Sequence, residues 1–198
     1  MPQRKSEMPR REEFLQAALK RFSRDGYAAT STRDICADVG IAHSAIYNYF
    51  SSKESILLAL EEPEMIRMQA GLDALLDAAR SADIDTRLRT AVLYVFDRAI
   101  KRREAWRLMG DMLRSLTPRN RAAVIARRDR FQETVRQVLE QARGGSRIPA
   151  VDTRLAVLHL FGMAEGLAGW YRKDGRLSPD EIARQSTEFF LGGLGWKP

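Results

Sequence analysis

The stretch Thr30–Lys53, TSTRDICADVGIAHSAIYNYFSSK, constrains this chain more than any other. It reads as two short helices joined by a tight turn, followed at once by the start of a longer helix. Ser31 and Asp34 have the spacing of a capping box, which opens a helix. Ile35 and Val39 lie four apart and give that helix one apolar face. Gly40 stands just past its end, where a left-handed backbone is needed and glycine adopts it without steric cost. Ile41 is expected as a buried pin. A second short helix, about Ala42–Phe50, carries Ile46 and Phe50 toward the first and turns His43, Ser44, Tyr47 and Asn48 outward. None of those four is acidic, as a face that approaches phosphates requires. Ser51 and Glu54 have the spacing of a second capping box, with Lys53 in the same turn. The pattern is a helix-turn-helix, which places its second helix in the major groove of duplex DNA.

Composition agrees with that partner without locating it. The 198 residues are 44% hydrophobic and 30% charged, with a formal net charge of +7. This is apolar enough for a packed core, and the sign suits nucleic acid. Residues 1–60 supply only +2 of that charge, so basicity alone would not find the site. The lone cysteine, Cys36, excludes an intramolecular disulfide and fits a reducing compartment. It is either a small packed residue or a redox sensor. Met1–Arg11 is polar and basic with no apolar core, and no run of 18 apolar residues occurs, so a cytoplasmic protein is expected. Arginine outnumbers lysine 27 to 6 and alanine is abundant, which hints at a high-GC bacterial genome.

The rest of the chain predicts an all-α fold of about nine helices, with no internal repeat. Residues 1–9, with two prolines, Arg4 and Lys5, are expected as a loose basic arm that either touches a minor groove or stays a tail. Residues 10–55 form the helix-turn-helix domain and 56–198 the second domain. Helix 1 is expected over Arg10–Arg24. A long helix from Ser52 toward Arg80 contains Pro63, which should kink or break it. Helices follow over Ile84–Arg102 and Glu104–Leu116. Thr117-Pro118 restarts the chain as N-cap and first helical residue, and Gly144-Gly145-Ser146 ends the next helix. The helix Asp152–Tyr171 is apolar nearly all round, with Gly162 and Gly166 four apart, so it must be covered on more than one side. Ser178-Pro179-Asp180-Glu181 opens the last helix.

Catalysis is not expected. The two histidines, His43 and His159, and Cys36 form no nucleophile–base pair in a cleft, and neither a phosphate-cradling glycine loop nor a metal-spaced cluster occurs. No cofactor or metal site is expected. Residues 98–130 hold 11 Arg/Lys against three acids. They are either a grip for phosphate groups on an anionic ligand or a solvated face. An adaptable apolar lining lies beside them, so Met68, Leu72, Arg102, Trp106, Met109, Met112, Leu113, Phe131 and Met163 are the candidate ligand-binding residues.

The segment Arg10–Leu60 resembles the DNA-binding domain of the tetracycline-repressor (TetR) family. The resemblance rests on Ala17-Ala18, Phe22, Gly26-Tyr27, Thr30-Ser31, Ile35, Gly40-Ile41, Ile46-Tyr47, Phe50 and Ser52-Lys53-Glu54. It departs from the family at Ala42, where a capping Ser is usual, at His43, where Lys, Arg or Gln is frequent, and at Cys36, where Ala is usual. The resemblance implies a C-terminal ligand-binding domain and a homodimer through the last two helices. It implies a repressor released from a near-palindromic operator by a small molecule. Thr32, Arg33, Tyr47 and Lys53 are expected on phosphates, and His43, Ser44 and Ala45 at base edges, with Asn48 on the same face. Tyr49 is expected on the backbone or in packing. A second resemblance, Trp170-Tyr171-Arg172 with Gly175, Leu177, Ser178 and Pro179, is to a branch of the family regulating fatty-acid and steroid-ring breakdown, several members of which sense acyl-CoA thioesters. The alternative is a DNA-binding architectural protein whose second domain only dimerises and which has no small-molecule effector.

Overall fold

The structure, a computed structural model, describes residues 4–145 and 147–196; the side chains of 4–9 and 111 lie outside the description. Among the described residues the chain is helical throughout, with no strand. The helices are α1 (Arg4–Asp25), α2 (Thr32–Val39), a tight 3-10 recognition helix (His43–Asn48) and α3 (Lys53–Ala78). Then come α4 (Ile84–Lys101), α5 (Arg103–Asp111) leading into a 3-10 turn (Met112–Ser115), α6 (Pro118–Gly144), α7 (Thr153–Trp170) and α8 (Pro179–Gly193).

Two compact units result. One joins Met1–Glu64 to Glu104–Val124, and the other joins Met65–Arg103 to Ile125–Pro198. By packing, α5 and the start of α6 group with the helix-turn-helix. The reason is visible at Glu54. Its carboxylate accepts from the Thr117 backbone N–H at 2.7 Å, the Thr117 hydroxyl at 3.0 Å and the Asn120 side-chain amide at 3.0 Å. It thereby takes up donors at the start of α6 that helical geometry leaves unpaired.

The first unit has its core in Phe14, Ala18, Phe22, Ile35, Ile46, Phe50, Ile56 and Leu57, all buried. Each large apolar side chain so buried contributes about 1.5–3 kcal/mol. Phe14 meets Phe50 edge-on at 6.4 Å, which ties α1 to the end of the recognition helix. Arg21 grips Asp38 through both carboxylate oxygens at 2.5 and 2.6 Å and fastens α1 to α2. Ser31 and Asp34 form the expected capping box, and Gly40 ends α2 in the left-handed region at φ 73°.

Several local expectations are corrected. The helix begins at Arg4, so the arm expected over 1–9 is helical from that residue onward, while residues 1–3 lie outside the description. The recognition segment is a six-residue 3-10 helix, not an α-helix over Ala42–Phe50; Ala42 offers no side-chain cap, and the chain tightens instead. Ile41 is only half-buried. The cap before α3 is Ser52 exchanging hydrogen bonds with Ser55, at 3.1 Å each way, instead of Ser51 with Glu54. Helix α3 runs through Pro63 unbroken. The segment after Asp111 leaves the α-helix for a 3-10 turn, so the helix expected to Leu116 stops short. Thr117 gives its hydroxyl to Glu54.

In the second unit α4 packs against α7 and α8, burying Leu88, Val92, Val95, Phe96 and Ala99. Asp83 caps α4 and Asp152 caps α7, while Ser178 and Glu181 form a capping box on α8. The Tyr94 hydroxyl donates to the Met68 carbonyl at 3.0 Å. It stands against Gly71 of α3, where a larger residue would require the Tyr94 side chain to shift. One face of α7 is buried through Ala156, Leu160, Ala164 and Leu167. Its other face presents Leu155, Leu158 and Trp170 to solvent, and α8 presents Phe189, 78% exposed. Gly162, Gly166 and Gly169 have open space where side chains would be.

Candidate nucleic-acid interface

The reading face is built on the turn after α2. Ser44, Tyr47 and Asn48 of the recognition helix are exposed, as is Arg33 on α2; Thr32, His43 and Ala45 are half-buried beside them. Buried Ile46 holds the helix down from the opposite side. The recognition helix itself carries no acid. Asp38, on neighbouring α2, is occupied by Arg21, whose guanidinium holds that carboxyl below its usual range. Three side chains converge at one atom: Nε2 of His43 lies 2.9 Å from the Thr32 hydroxyl and 3.4 Å from the Tyr47 hydroxyl. The His43 and Tyr47 rings meet edge-on at 5.3 Å.

Lys53 is placed differently from a free phosphate ligand. Its ammonium donates to the carbonyls of Tyr27 and Thr30, both at 2.9 Å, and sits 4.2 Å from the centre of the Tyr27 ring. Partial burial pushes its pKa down. It staples the start of α3 to the loop before α2. Tyr49 is half-buried, with its ring 5.5 Å from Phe14. Cys36 is buried, and burial pushes its thiol up.

The staple and the Glu54 clamp are contacts that sequence reasoning missed. Both join residues more than 20 positions apart in the chain, and no local spacing encodes them.

Of the expected ligand residues, Met68, Leu72, Trp106, Met109, Met112 and Phe131 are buried. Leu113 and Met163 are half-buried and Arg102 is exposed. Within the second unit Phe131 meets Phe161 edge-on at 5.7 Å. An open cavity of about 400 Å³ lies between α3, α4 and α8 of that unit, lined by Leu75, Leu93, Tyr94 and Ala183 with Asp97 and Asp180; none of the nine expected residues lines it. Of the 98–130 cations, Lys101 bridges Asp97 and Asp180, and Arg103 donates to the Tyr171 carbonyl at 2.8 Å. Arg107, Arg114, Arg119, Arg121 and Arg130 are exposed. No cluster of three metal-ligating side chains occurs among the described residues, and none of their helices is long and apolar enough to cross a membrane.

Comparison with known proteins agrees with this arrangement. Residues 14–60 match the model for bacterial regulatory proteins of the tetR family, and residues 81–194 match that for the tetracyclin repressor-like C-terminal domain. The transcriptional repressor KstR2 of Rhodococcus jostii is 29% identical over 93% of this chain and 91% of its own length. The TetR-family regulator PfmR of Thermus thermophilus superposes with a TM-score of 0.76 at 31% identity, over 91% of this chain and 98% of PfmR. AibR, solved with isovaleryl coenzyme A and operator DNA, shares the fold with a TM-score of 0.77 at 22% identity, over 91% of this chain and 97% of AibR. Such relatives are regulators of transcription and not enzymes. With a capped helix-turn-helix at one end and the matching helical domain at the other, this chain belongs to the TetR family of DNA-binding transcriptional regulators.

Proposed function

We propose that the chain works as a homodimeric repressor that leaves a near-palindromic operator when a small anionic, amphipathic metabolite binds. The observation that carries the DNA half is the acid-free face of Ser44, Tyr47 and Asn48, held outward on a helix pinned by Ile46. On this reading Arg33 and Tyr47 take phosphates, and Lys53 adds the one proton that its two carbonyl partners leave over. His43 and Ser44 meet base edges, Ala45 a thymine methyl, and Asn48 lies on the same face. Packing on Phe14 is the role left to Tyr49.

The dimer half rests on the exposed apolar stripe of α7 and on Phe189 of α8. Open space over Gly162, Gly166 and Gly169 would let a second backbone approach closely. A two-fold dimer also suits a helix-turn-helix reading two half-sites. An acyl-CoA thioester is the first effector to test. The Trp170–Pro179 motif supports that choice, as does the fold shared with AibR, which was solved with isovaleryl coenzyme A and operator DNA. Within the second unit, Met68, Leu72, Arg102, Phe131 and Met163 are the residues proposed for the effector.

Fluorescence anisotropy tests the reading. A fragment from immediately upstream of the protein's own gene and a scrambled one are titrated with and without acyl-CoA thioesters. The expected result is binding at least 10³-fold tighter to the operator fragment, relieved by a thioester. Selective binding that no thioester relieves would discard the ligand class alone. Equal binding to operator and random DNA after a random-sequence selection would favour the architectural alternative.

A further inference from the structure

Thr32 is expected on a phosphate, yet its hydroxyl is turned to another partner. It is the first residue of α2, half-buried, and its Oγ1 lies 2.9 Å from Nε2 of His43 across the turn. The Tyr47 ring closes on the imidazole edge-on, with its hydroxyl 3.4 Å from the same nitrogen. The shorter contact, with Thr32, occupies Nε2, and the Tyr47 ring, which Tyr47→Phe keeps, packs against the imidazole edge-on. Only Nδ1 remains for a base.

We propose that Thr32 is a positioning residue for His43: it fixes the imidazole so that Nδ1 reads the base. The inference rests on the base-reading role given to His43 above and changes the role of Thr32. The chemistry follows from the ring's two nitrogens. When the Thr32 hydroxyl donates to Nε2, a neutral imidazole carries its proton on Nδ1, so Nδ1 is a donor. A donor in the major groove pairs with guanine N7 or O6, adenine N7 or thymine O4. In that tautomer the half-buried hydroxyl spends its proton on Nε2 and is a poor phosphate ligand. A hydroxyl that locks a reading side chain instead confers specificity, because a freely rotating imidazole would accept several base edges.

The test uses the full-length protein and four variants: Thr32→Val, which keeps the shape and removes the hydroxyl, Thr32→Ser, which keeps the hydroxyl, His43→Ala, and the pair Thr32→Val with His43→Ala. Each is put through random-sequence selection, then titrated against the selected operator and a scrambled duplex over a salt series. Thr32→Val should lose about tenfold on the operator, the range of a single base contact, and relax the same base position that His43→Ala relaxes. Its binding to scrambled DNA and its salt slope should not move. The double variant should bind no worse than His43→Ala, and Thr32→Ser should restore the preference. An equal loss on both duplexes would make Thr32 a phosphate ligand and overturn the proposal. So would a Thr32→Val loss that persists undiminished in the His43→Ala background, since the effect would not pass through His43. If His43→Ala itself left the selected sequence unchanged, the base-reading role of His43 would fall and the positioning role with it. Full operator specificity in Thr32→Val beside a lost preference in His43→Ala would sink the positioning role alone.

Discussion

The recognition helix and the outer face of α7 are both exposed, yet they are built from opposite materials. The first shows hydroxyls, an amide and an imidazole fixed by hydrogen bonds, and its only large buried side chain is Ile46. The second shows Leu155, Leu158 and Trp170 beside glycines with nothing over them. Exposed polar groups lose little by staying in water, so the first face can wait for a partner and select it by hydrogen-bond pattern. Contiguous exposed apolar surface loses free energy until it is covered, at roughly 25 cal/mol per Å². The proposed function makes this a division of labour, with the apolar face for affinity between copies and the polar face for choice among DNA sequences.

The sharpest way to break that comparison is Leu158→Glu. Leu158 is 60% exposed, so the monomer should fold normally. Like charges brought together at an interface cost several kcal/mol, so the dimer should weaken by on the order of 100-fold or more in sedimentation, and operator binding with it. An unchanged dimer would move the interface elsewhere.

Within the polar face, His43→Ala should change the preferred base by about 1–3 kcal/mol of discrimination. Tyr47→Phe should weaken all sequences alike, read by anisotropy on matched and mismatched duplexes. Reversal of those two patterns would exchange their roles.

Lys53→Met tests whether that cation is mainly a staple. Losing its two carbonyl bonds should cost about 1–3 kcal/mol in urea unfolding. A variant with full stability but a shallower salt slope on DNA would make it a phosphate ligand first.

The smallest effect concerns Glu54. Hydrogen bonds from the Asn120 side chain and the Thr117 backbone hold its carboxyl below the usual value of 4.5. Its contribution is thus fully present above that value and is lost as pH falls through the lowered one. The stability gap to Glu54→Ala should be about 1 kcal/mol at neutral pH, given its partial exposure. In unfolding experiments across pH 3–7, it should close on acidification. A gap that widens in acid would contradict the clamp.

Local chemistry was legible and long-range chemistry was not. Ser31 with Asp34, Gly40, and Ser178 with Glu181 each state their geometry within four residues, and each stands as read. The outward set His43, Ser44, Tyr47 and Asn48 follows from where Ile46 and Phe50 must point. Glu54 misled because its spacing to Ser51 suits a capping box equally well, while its partners lie more than 60 residues away. Pro63 misled in another way. A proline removes one backbone donor, and the 26-residue helix around it carries the chain through. At Thr32 the sequence offers a hydroxyl at the right place, but only the folded turn brings His43 to it.

Random-sequence selection with the wild-type protein, run beside Leu158→Glu, tests the central claim most directly. The account predicts a two-fold symmetric site for the wild type, its half-sites separated by about one helical turn or a multiple of it, and loss of that symmetric site for Leu158→Glu. Recovery of a single asymmetric element by both proteins, or of no sequence at all, would contradict it.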